Sequence, residues 1–226
     1  MARMLTEECP KPTRSEQTRH KLILAALEVI GVHGYEQATT RMLTAQAGVN
    51  LAAIPYHFAS KEELYRAAAE FLAAEMKADQ AGPLQRLCAE VASTDDSHEL
   101  IEALVRYMLA LSHITLAGEL EPSWIQFFLR SQADPQDAVG QVFRTALQPS
   151  RAQVRAVIAR IVGSDAESLA VRSLAFSLFH QAFYLRVAEP VLLQHLARTE
   201  LTAEVQQQLL LTLEQALRAQ LRAQAA

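Results

Sequence analysis

The sequence predicts an all-α fold, and three observations support that class. Apolar residues recur at helical spacing in almost every segment, beginning with Leu22, Ala26 and Ile30. No segment alternates apolar and polar residues as a half-buried strand would, and no internal repeat is present. Half of the 226 residues are hydrophobic and 20% are charged, which is a globular composition with enough apolar material for a core.

The first two helices have clear start and stop signals. Thr13 and Glu16 are spaced as a capping box that begins the first helix, and Gly34 is expected to end it in the left-handed conformation. The second helix is predicted over residues 40–47, with Gly48 as its stop. Only a few residues therefore connect the two helices.

The third and fourth helices follow at once. Asn50 is expected to cap the third helix, with Val49 and Ile54 placed as a hydrophobic staple across the cap. Ser60 is expected to cap the fourth, and Glu63 completes a second capping box. An apolar stripe then continues the fourth helix towards residue 78.

The rest of the chain is predicted to form helices separated by breaks. Proline, glycine or polar clusters mark these breaks at Gly82-Pro83, residues 93–97, Pro122, Asp134-Pro135, Pro149 and Gly163-Ser164. The last two helices are long, at about residues 165–187 and 202–224.

Charge is unevenly distributed along the chain. The net charge is −4, yet residues 11–61 contain six Lys or Arg against three Glu, so this segment carries +3 and the remainder −7. A slightly basic module on an acidic body is typical of a nucleic-acid footprint that is confined to one end of a protein.

The first three helices have the arrangement of a helix-turn-helix unit. Small residues at the turn (Ala45, Ala47, Gly48) allow two short helices to cross closely, and the second is short enough to enter a major groove. Arg41 and Lys61 are placed at the first positions of the second and fourth helices, where a cation opposes the helix dipole. DNA phosphates bound at these helix ends would remove that cost. The alternative is that surface cations fall there by chance.

A family resemblance rests on motifs of this N-terminal quarter. The matching motifs are Gly34-Tyr35, Thr39-Thr40, Ala47-Gly48-Val49, Tyr56-His57-Phe58 and Ser60-Lys61-Glu62-Glu63-Leu64. They resemble the DNA-binding domain of the TetR family of transcriptional regulators. Farther along, Pro122-Ser123-Trp124 with Phe127-Phe128-Leu129-Arg130 is similar to the CecR-like subgroup.

The resemblance implies a function and a set of DNA-binding residues. It implies a homodimer built on the last two long helices, a ligand pocket in the helical body, and release from an operator when a ligand binds. The two cations at helix starts and the arginine before the first helix are added to the positions that the resemblance supplies. The expected DNA-binding residues are then Arg14, Thr40, Arg41, Asn50, Leu51, Ala52, Ala53, Tyr56, His57 and Lys61. Two positions depart from the family pattern, because Pro55 replaces a common Tyr and Thr44 a usual Ala.

The expected partners are a double-stranded DNA operator, a second copy of the chain and a small-molecule effector. Effector pockets are mostly apolar with a few polar groups, and the candidate effector-binding residues are Tyr107, His113, Trp124, Phe127, Phe128, Arg130, Phe176 and His180. The alternative is that these aromatic residues form an ordinary core. If Arg130 is buried, it needs an anionic partner.

Other classes of function find little support in the sequence. Protease, hydrolase, P-loop and dinucleotide-binding motifs are absent, so we expect no catalytic residue and no cofactor. Cys9 and Cys88 lie far apart, without a Cys/His cluster, so we expect no metal site. The N-terminus lacks an apolar signal region and no apolar run is long enough to span a bilayer, so a cytoplasmic protein without membrane contact is expected.

The predicted organisation has three parts: a flexible N-terminal arm over 1–13, a DNA-binding domain over 14–66, and an effector-binding and dimerisation domain over 67–226. Two alternatives stay open. In the first, the chain is a helical small-molecule or acyl-chain carrier whose DNA-binding module no longer functions. In the second, it keeps DNA binding but acts as an activator or an architectural factor instead of a repressor.

Overall fold

The computed structural model of the protein describes residues 13–116, 121–134 and 136–225, and in these ranges all regular structure is helical. The ten helices are α1 (Arg14–His33), α2 (Thr40–Ala47), α3 (Ala53–Phe58), α4 (Lys61–Ala92), α5 (Ser97–Leu116), α6 (Pro122–Ser131), α7 (Ala138–Val162), α8 (Leu169–Val187), α9 (Glu189–His195) and α10 (Ala203–Arg222). The all-α prediction is confirmed. The predicted arm lies outside the described residues, except for Thr13.

The capping signals at the N-terminal helices are largely as predicted. The Thr13 hydroxyl accepts a hydrogen bond from the Glu16 N–H, and the Glu16 carboxylate accepts one from the Thr13 N–H, which completes the capping box. Gly48 ends α2 in the left-handed conformation. Gly34 also has a positive φ, but its ψ of 160° lies outside the left-handed helical region, so the predicted conformation at that residue is wrong.

The predicted caps at the two next helices need correction. Asn50 does not cap α3, because the chain turns through residues 50–52 and the Asn50 carbonyl accepts from the Ala53 N–H. The helix begins at Ala53, so that Pro55 falls in the first turn, where its missing N–H costs little. Ser60 caps α4 by accepting from the Glu63 N–H, but the Ser60 N–H donates to a carbonyl of α3 instead of to Glu63.

The predicted helix breaks at Gly82-Pro83 and Pro149 are wrong. Both prolines lie inside continuous helices, α4 and α7. Proline removes one intrahelical hydrogen bond and crowds the preceding turn. Tertiary packing outweighs this local cost, because α4 buries Met76 before the proline and Leu87 after it. The uninterrupted α4 packs along α5 and α7 and runs from the N-terminal helices into the body.

Two apolar clusters form the core. The first joins α1–α4 to α6 and α7, so that Leu27 and Leu64 are buried together with Phe127 and Phe143. The second joins the end of α4 to α5, α7, α8 and α10. The predicted domain boundary after residue 66 falls inside α4, and the first cluster extends across it. Within the described ranges, no helix is both long and apolar enough to cross a membrane.

Candidate nucleic-acid interface and effector cavity

A surface groove lies between the N-terminal half of α1 and the segment from Gly48 to α3. It has a volume of about 630 Å³. Its lining comes from Arg14, Gln17, Thr18, Lys21, Gly48, Val49, Asn50, Ala52, Ala53, Tyr56 and His57. Six of the residues predicted to bind DNA therefore share one concave surface.

The side chains of α3 and of the turn before it differ in the fraction that is exposed to solvent. Tyr56 is 80% exposed, and its ring meets the ring of His57 edge-on, with the centroids 4.8 Å apart. Leu51 is 56% exposed at the turn before α3, but it is not part of the groove lining. Ala53 is only 8% exposed, so it offers little surface to a base edge. Tyr56 is thus the most accessible large side chain of this helix.

The positive charge of the groove comes from α1. Arg14 and Lys21 line it, whereas its described lining contains no Asp or Glu. Lys21, Gln17 and Thr18 were not predicted from the sequence. Their spacing from Arg14 could have identified them, because positions 14, 17, 18 and 21 share one face of a helix.

Lys61 and Arg41 lie outside the described groove lining, and Lys61 has an intramolecular partner. Its ammonium donates to the Tyr35 carbonyl at 2.7 Å and lies 4.1 Å from the centroid of the Tyr35 ring. These contacts offset the unfavourable position of a cation at a helix start without any phosphate. Arg41 is the second residue of α2, not the first, which weakens the argument from paired helix-end cations. The phosphate roles of both residues stay predictions.

Thr40 is the first residue of α2 and is exposed. Thr39 caps that helix, since its hydroxyl accepts from the Met42 N–H at 3.2 Å. Thr44, which departs from the family pattern, is buried and donates its hydroxyl proton to the Thr40 carbonyl at 2.9 Å. The departure at this position is therefore accommodated inside α2.

A second concavity, of about 780 Å³, lies in the helical body among α4, α5, α6, α7 and α8. Of the residues predicted to bind an effector, Phe128, Phe176 and His180 line it. Sequence reasoning missed a cationic group on its wall, formed by Arg151 and Arg155 of α7 with Arg172 of α8. The available signal was the spacing of Arg151 and Arg155, which places them on one face of α7.

The other five predicted effector residues do not line this cavity, and two of them are core residues. Phe127 is fully buried, with its ring centroid 5.1 Å from that of Tyr65 and 6.5 Å from that of Phe143. Tyr107 is 2% exposed in the second cluster, and burial raises the pKa of its hydroxyl to about 12. Both side chains therefore lie in the core clusters, and their role in effector binding stays a prediction.

His113 and Trp124 also lie elsewhere. His113 is exposed near the end of α5. Trp124 is half-buried in α6 and meets the ring of Phe71 edge-on, with the centroids 6.1 Å apart. Neither side chain is on the lining of the cavity.

Arg130 joins the body to the N-terminal helices. Its guanidinium donates to the carbonyls of Gly31 at 3.0 Å and Val32 at 3.3 Å, in the last turn of α1. The side chain is not buried and needs no anionic partner, because helix C-terminal carbonyls carry partial negative charge. Arg130 therefore does not line the cavity, and its role in effector binding stays a prediction.

The contact between α1 and α6 is close at backbone level. A Cβ placed on Gly31 would lie only 2.0 Å from the carbonyl oxygen of Ser123. Glycine therefore permits an approach that no other residue allows here. Together with Arg130, this contact holds the body against α1.

Known proteins match both parts of the chain. Residues 22–68 match the family model for bacterial regulatory proteins of the tetR family. Residues 97–224 match the C-terminal domain of the HTH-type transcriptional dual regulator CecR. Over 157 residues the chain is 35% identical to the HTH-type transcriptional dual regulator CecR of Shigella flexneri, with 68% of each protein covered.

Solved structures share the fold at low sequence identity. AibR, solved in complex with isovaleryl coenzyme A and operator DNA, has a TM-score of 0.64 at 12% identity, covering 88% of this chain and 97% of its own. A putative transcriptional regulator from Pseudomonas aeruginosa has a TM-score of 0.60 at 20% identity, covering 94% and 96%.

A helix-turn-helix module with a basic groove, joined to a helical body, defines a DNA-binding transcriptional regulator. With these matches, the chain belongs to the TetR family of transcriptional regulators. Its body places it among the CecR-like members of that family.

Proposed function

We propose that this regulator represses transcription by binding a palindromic operator as a homodimer, and that a small-molecule effector releases it. The proposal rests on the course of α4. This helix begins beside the DNA-facing helices and extends to the cavity in the body. Its first residue, Lys61, contacts Tyr35, while Met76, Asp79 and Gln80 line the cavity. One continuous helix therefore connects the two sites.

DNA binding is proposed to use the groove between α1 and α3. Arg14 and Lys21 would hold phosphates, and Tyr56 and His57 would contact the backbone at the far end of α3. Asn50, Leu51 and Ala52 would approach base edges, since phosphate contacts position a protein and base contacts specify its site. With little charge on α3 itself, specificity per half-site is modest and depends on dimer symmetry and DNA shape.

Release is proposed as a population shift. A ligand that binds better to one conformation of the body favours that conformation. Because α4 and the α1–α6 contact connect the body to the DNA-binding helices, the shift changes the separation of the two reading helices in the dimer. Half-sites about 34 Å apart then no longer fit. AibR, which was solved with both an acyl coenzyme A and operator DNA, supports the combination of these two binding functions on this fold.

Footprinting of the DNA upstream of the protein's own gene tests the proposal directly. We expect a protected palindrome whose affinity falls as salt concentration rises. The alternative of a helical carrier, which the absence of Lys and Arg from α3 favours, expects no salt-sensitive protection anywhere. A reporter assay separates repression from activation.

Dimerisation is proposed to use exposed apolar side chains of the last helices. Leu169 and Phe176 of α8 are 82% and 65% exposed, and Leu211 of α10 is 44% exposed. Large exposed apolar patches mark interaction surfaces, and homodimers place the same patch on both partners. A dimer through α8 and α10 would bury all three side chains.

Replacing both Leu169 and Leu211 with Glu is expected to convert the dimer to a monomer at micromolar concentration in analytical ultracentrifugation. Like charges would face one another across a symmetric interface, whereas the exposed positions leave the fold of the protomer intact. Leu51→Glu is the matched control, since Leu51 is 56% exposed and lies on the other module. A dimer that survives the double substitution would disprove this interface.

Lys61→Ala tests the phosphate role predicted from the resemblance. If Lys61 binds phosphate, the homodimer loses two contacts and the slope of log affinity against log salt concentration falls by about 1.8. If its function is the contact with Tyr35, the variant loses thermal stability and keeps the wild-type slope. Gel shifts at four salt concentrations, with melting curves, separate the two roles. An unchanged slope rejects the phosphate contact.

A further inference from the structure

Three arginines reach an otherwise largely apolar cavity. Arg151 and Arg155 lie four residues apart on α7, and Arg172 lies on the neighbouring α8. Phe128 and Phe179 contribute aromatic surface to the same cavity. A cavity with a cationic group and aromatic walls is suited to a ligand that has one charged end and one apolar end.

The three cations are not equally balanced by acidic residues. Glu167 pairs with Arg155 at 3.1 Å and with Arg172 at 3.1 Å. Among the described residues, no carboxylate forms an ion pair with Arg151. Burial lowers the pKa of the Arg151 guanidinium, and the charges of Arg144 and Arg155 lower it further. Asp79 also lines the cavity and is its one acidic residue in the described lining.

A half-buried guanidinium without a counterion is costly. It has lost part of its hydration, and the nearby cations repel it. An arginine side chain stays protonated in a protein, so loss of a proton does not relieve the cost of lost hydration and repulsion. A bound anion does relieve it, because the planar guanidinium donates two parallel hydrogen bonds to a carboxylate or a phosphate.

We propose that the cavity binds an amphipathic anion, with its carboxylate or phosphate head on Arg151 and its apolar body against Phe128 and Phe179. This inference rests on the proposed effector function, because it names the ligand class of the same cavity. The volume of about 780 Å³ is within the range of small-molecule sites and accommodates a medium-length alkyl chain together with its head group.

Titration calorimetry with three probes of the same chain length tests the ligand class. Decanoate and decyl phosphate carry the two possible heads, and decanol carries neither charge. We expect the wild-type protein to bind at least one anion ten or more times as tightly as decanol. The better of the two anions identifies the head group. Equal affinity for decanol and both anions overturns the proposal, and so does the absence of binding by both anions.

Arg151→Met tests the residue, with Arg106→Met as the matched control. Arg106 pairs with Glu90 at 2.7 Å and lies outside the lining of the cavity. We expect Arg151→Met to lose the tenfold preference for the anion and to keep the affinity for decanol, whereas Arg106→Met keeps both. If Arg151→Met binds decanoate and decyl phosphate as the wild type does, Arg151 is not the anion site.

The melting temperature of the ligand-free protein provides a second readout. Removing an uncompensated cation is expected to raise it by about 2–4 °C in Arg151→Met. A decrease in the melting temperature instead assigns Arg151 a structural role and contradicts the proposal.

Gel shifts with the footprinted operator, on the same protein preparations, distinguish the failure of the repressor function from the failure of the ligand class. A protein that binds the anions but no DNA refutes the repressor function alone, and one that binds DNA but no anion refutes the ligand class alone.

Discussion

Gly31→Ala is expected to destabilise the protein much more than Gly82→Ala. Gly31 is buried in α1, where a Cβ would lie 2.0 Å from the backbone oxygen of Ser123 and 2.7 Å from its carbonyl carbon. A backbone group cannot rotate away, so α6 must move. Overpacking of this kind costs about 1–3 kcal/mol or more, which exceeds the gain of about 0.5–1 kcal/mol from replacing a helical glycine.

Gly82 is a matched control because it also lies inside a helix. Its nearest neighbour to a new Cβ is the tip of the flexible Arg86 side chain at 3.7 Å, which is an ordinary contact. Gly82 precedes Pro83, however, and a proline ring crowds the Cβ of the preceding residue in a helix. This crowding offsets the helical gain of about 0.5–1 kcal/mol, so we expect a small net change in the free energy of unfolding. Urea unfolding of both variants measures the difference between them. A Gly31→Ala protein as stable as the wild type would show that the α1–α6 contact yields easily.

Lys21→Ala is expected to weaken operator binding strongly and without regard to sequence. Lys21 lines the groove beside α3, and a homodimer would lose two phosphate contacts. The slope of log affinity against log salt concentration then falls by about 1.8, which corresponds to a loss of about 60-fold at 0.1 M salt. Gel shifts over a salt series, with the operator and with unrelated DNA, measure both quantities.

Lys77→Ala is the control for Lys21→Ala. Lys77 is an exposed residue of α4 outside the groove, and the substitution removes the same charge. We expect the control to keep most of the affinity and the full salt slope. If the two variants behave alike, long-range charge and not a phosphate contact accounts for the loss. A Lys21→Ala protein with wild-type affinity would exclude the groove as the DNA-binding surface.

The N-terminal module was the part of the fold most accessible to sequence reasoning. Thr13 with Glu16, Gly48 and Ser60 are local signals, since a cap is satisfied within three or four residues of its own position. The same local logic failed at Asn50, because Pro55 favours a later helix start. It also failed at Pro83, where burial of both flanking turns maintains the helix.

Sequence reasoning was weaker for the aromatic residues of the body. Phe127 and Phe128 are adjacent in the chain, yet Phe127 lies between Tyr65 and Phe143 in the core, whereas Phe128 reaches the cavity. The difference depends on the rotation of α6 relative to α4, α7 and α8. Periodicity identifies an apolar face, but it does not distinguish a core from the wall of a cavity.

The helical class, the helix-turn-helix module and the family could be predicted from the sequence, because periodicity, caps and short motifs are properties of neighbouring residues. The partners of the charged side chains depend on the folded arrangement of distant helices. Arg130 contacts a carbonyl 99 residues away, Lys61 contacts Tyr35, and Arg151 faces a cavity without a paired carboxylate among the described residues. Electrostatic and packing partners are set by distance in space, and helices separated along the chain meet only when it folds.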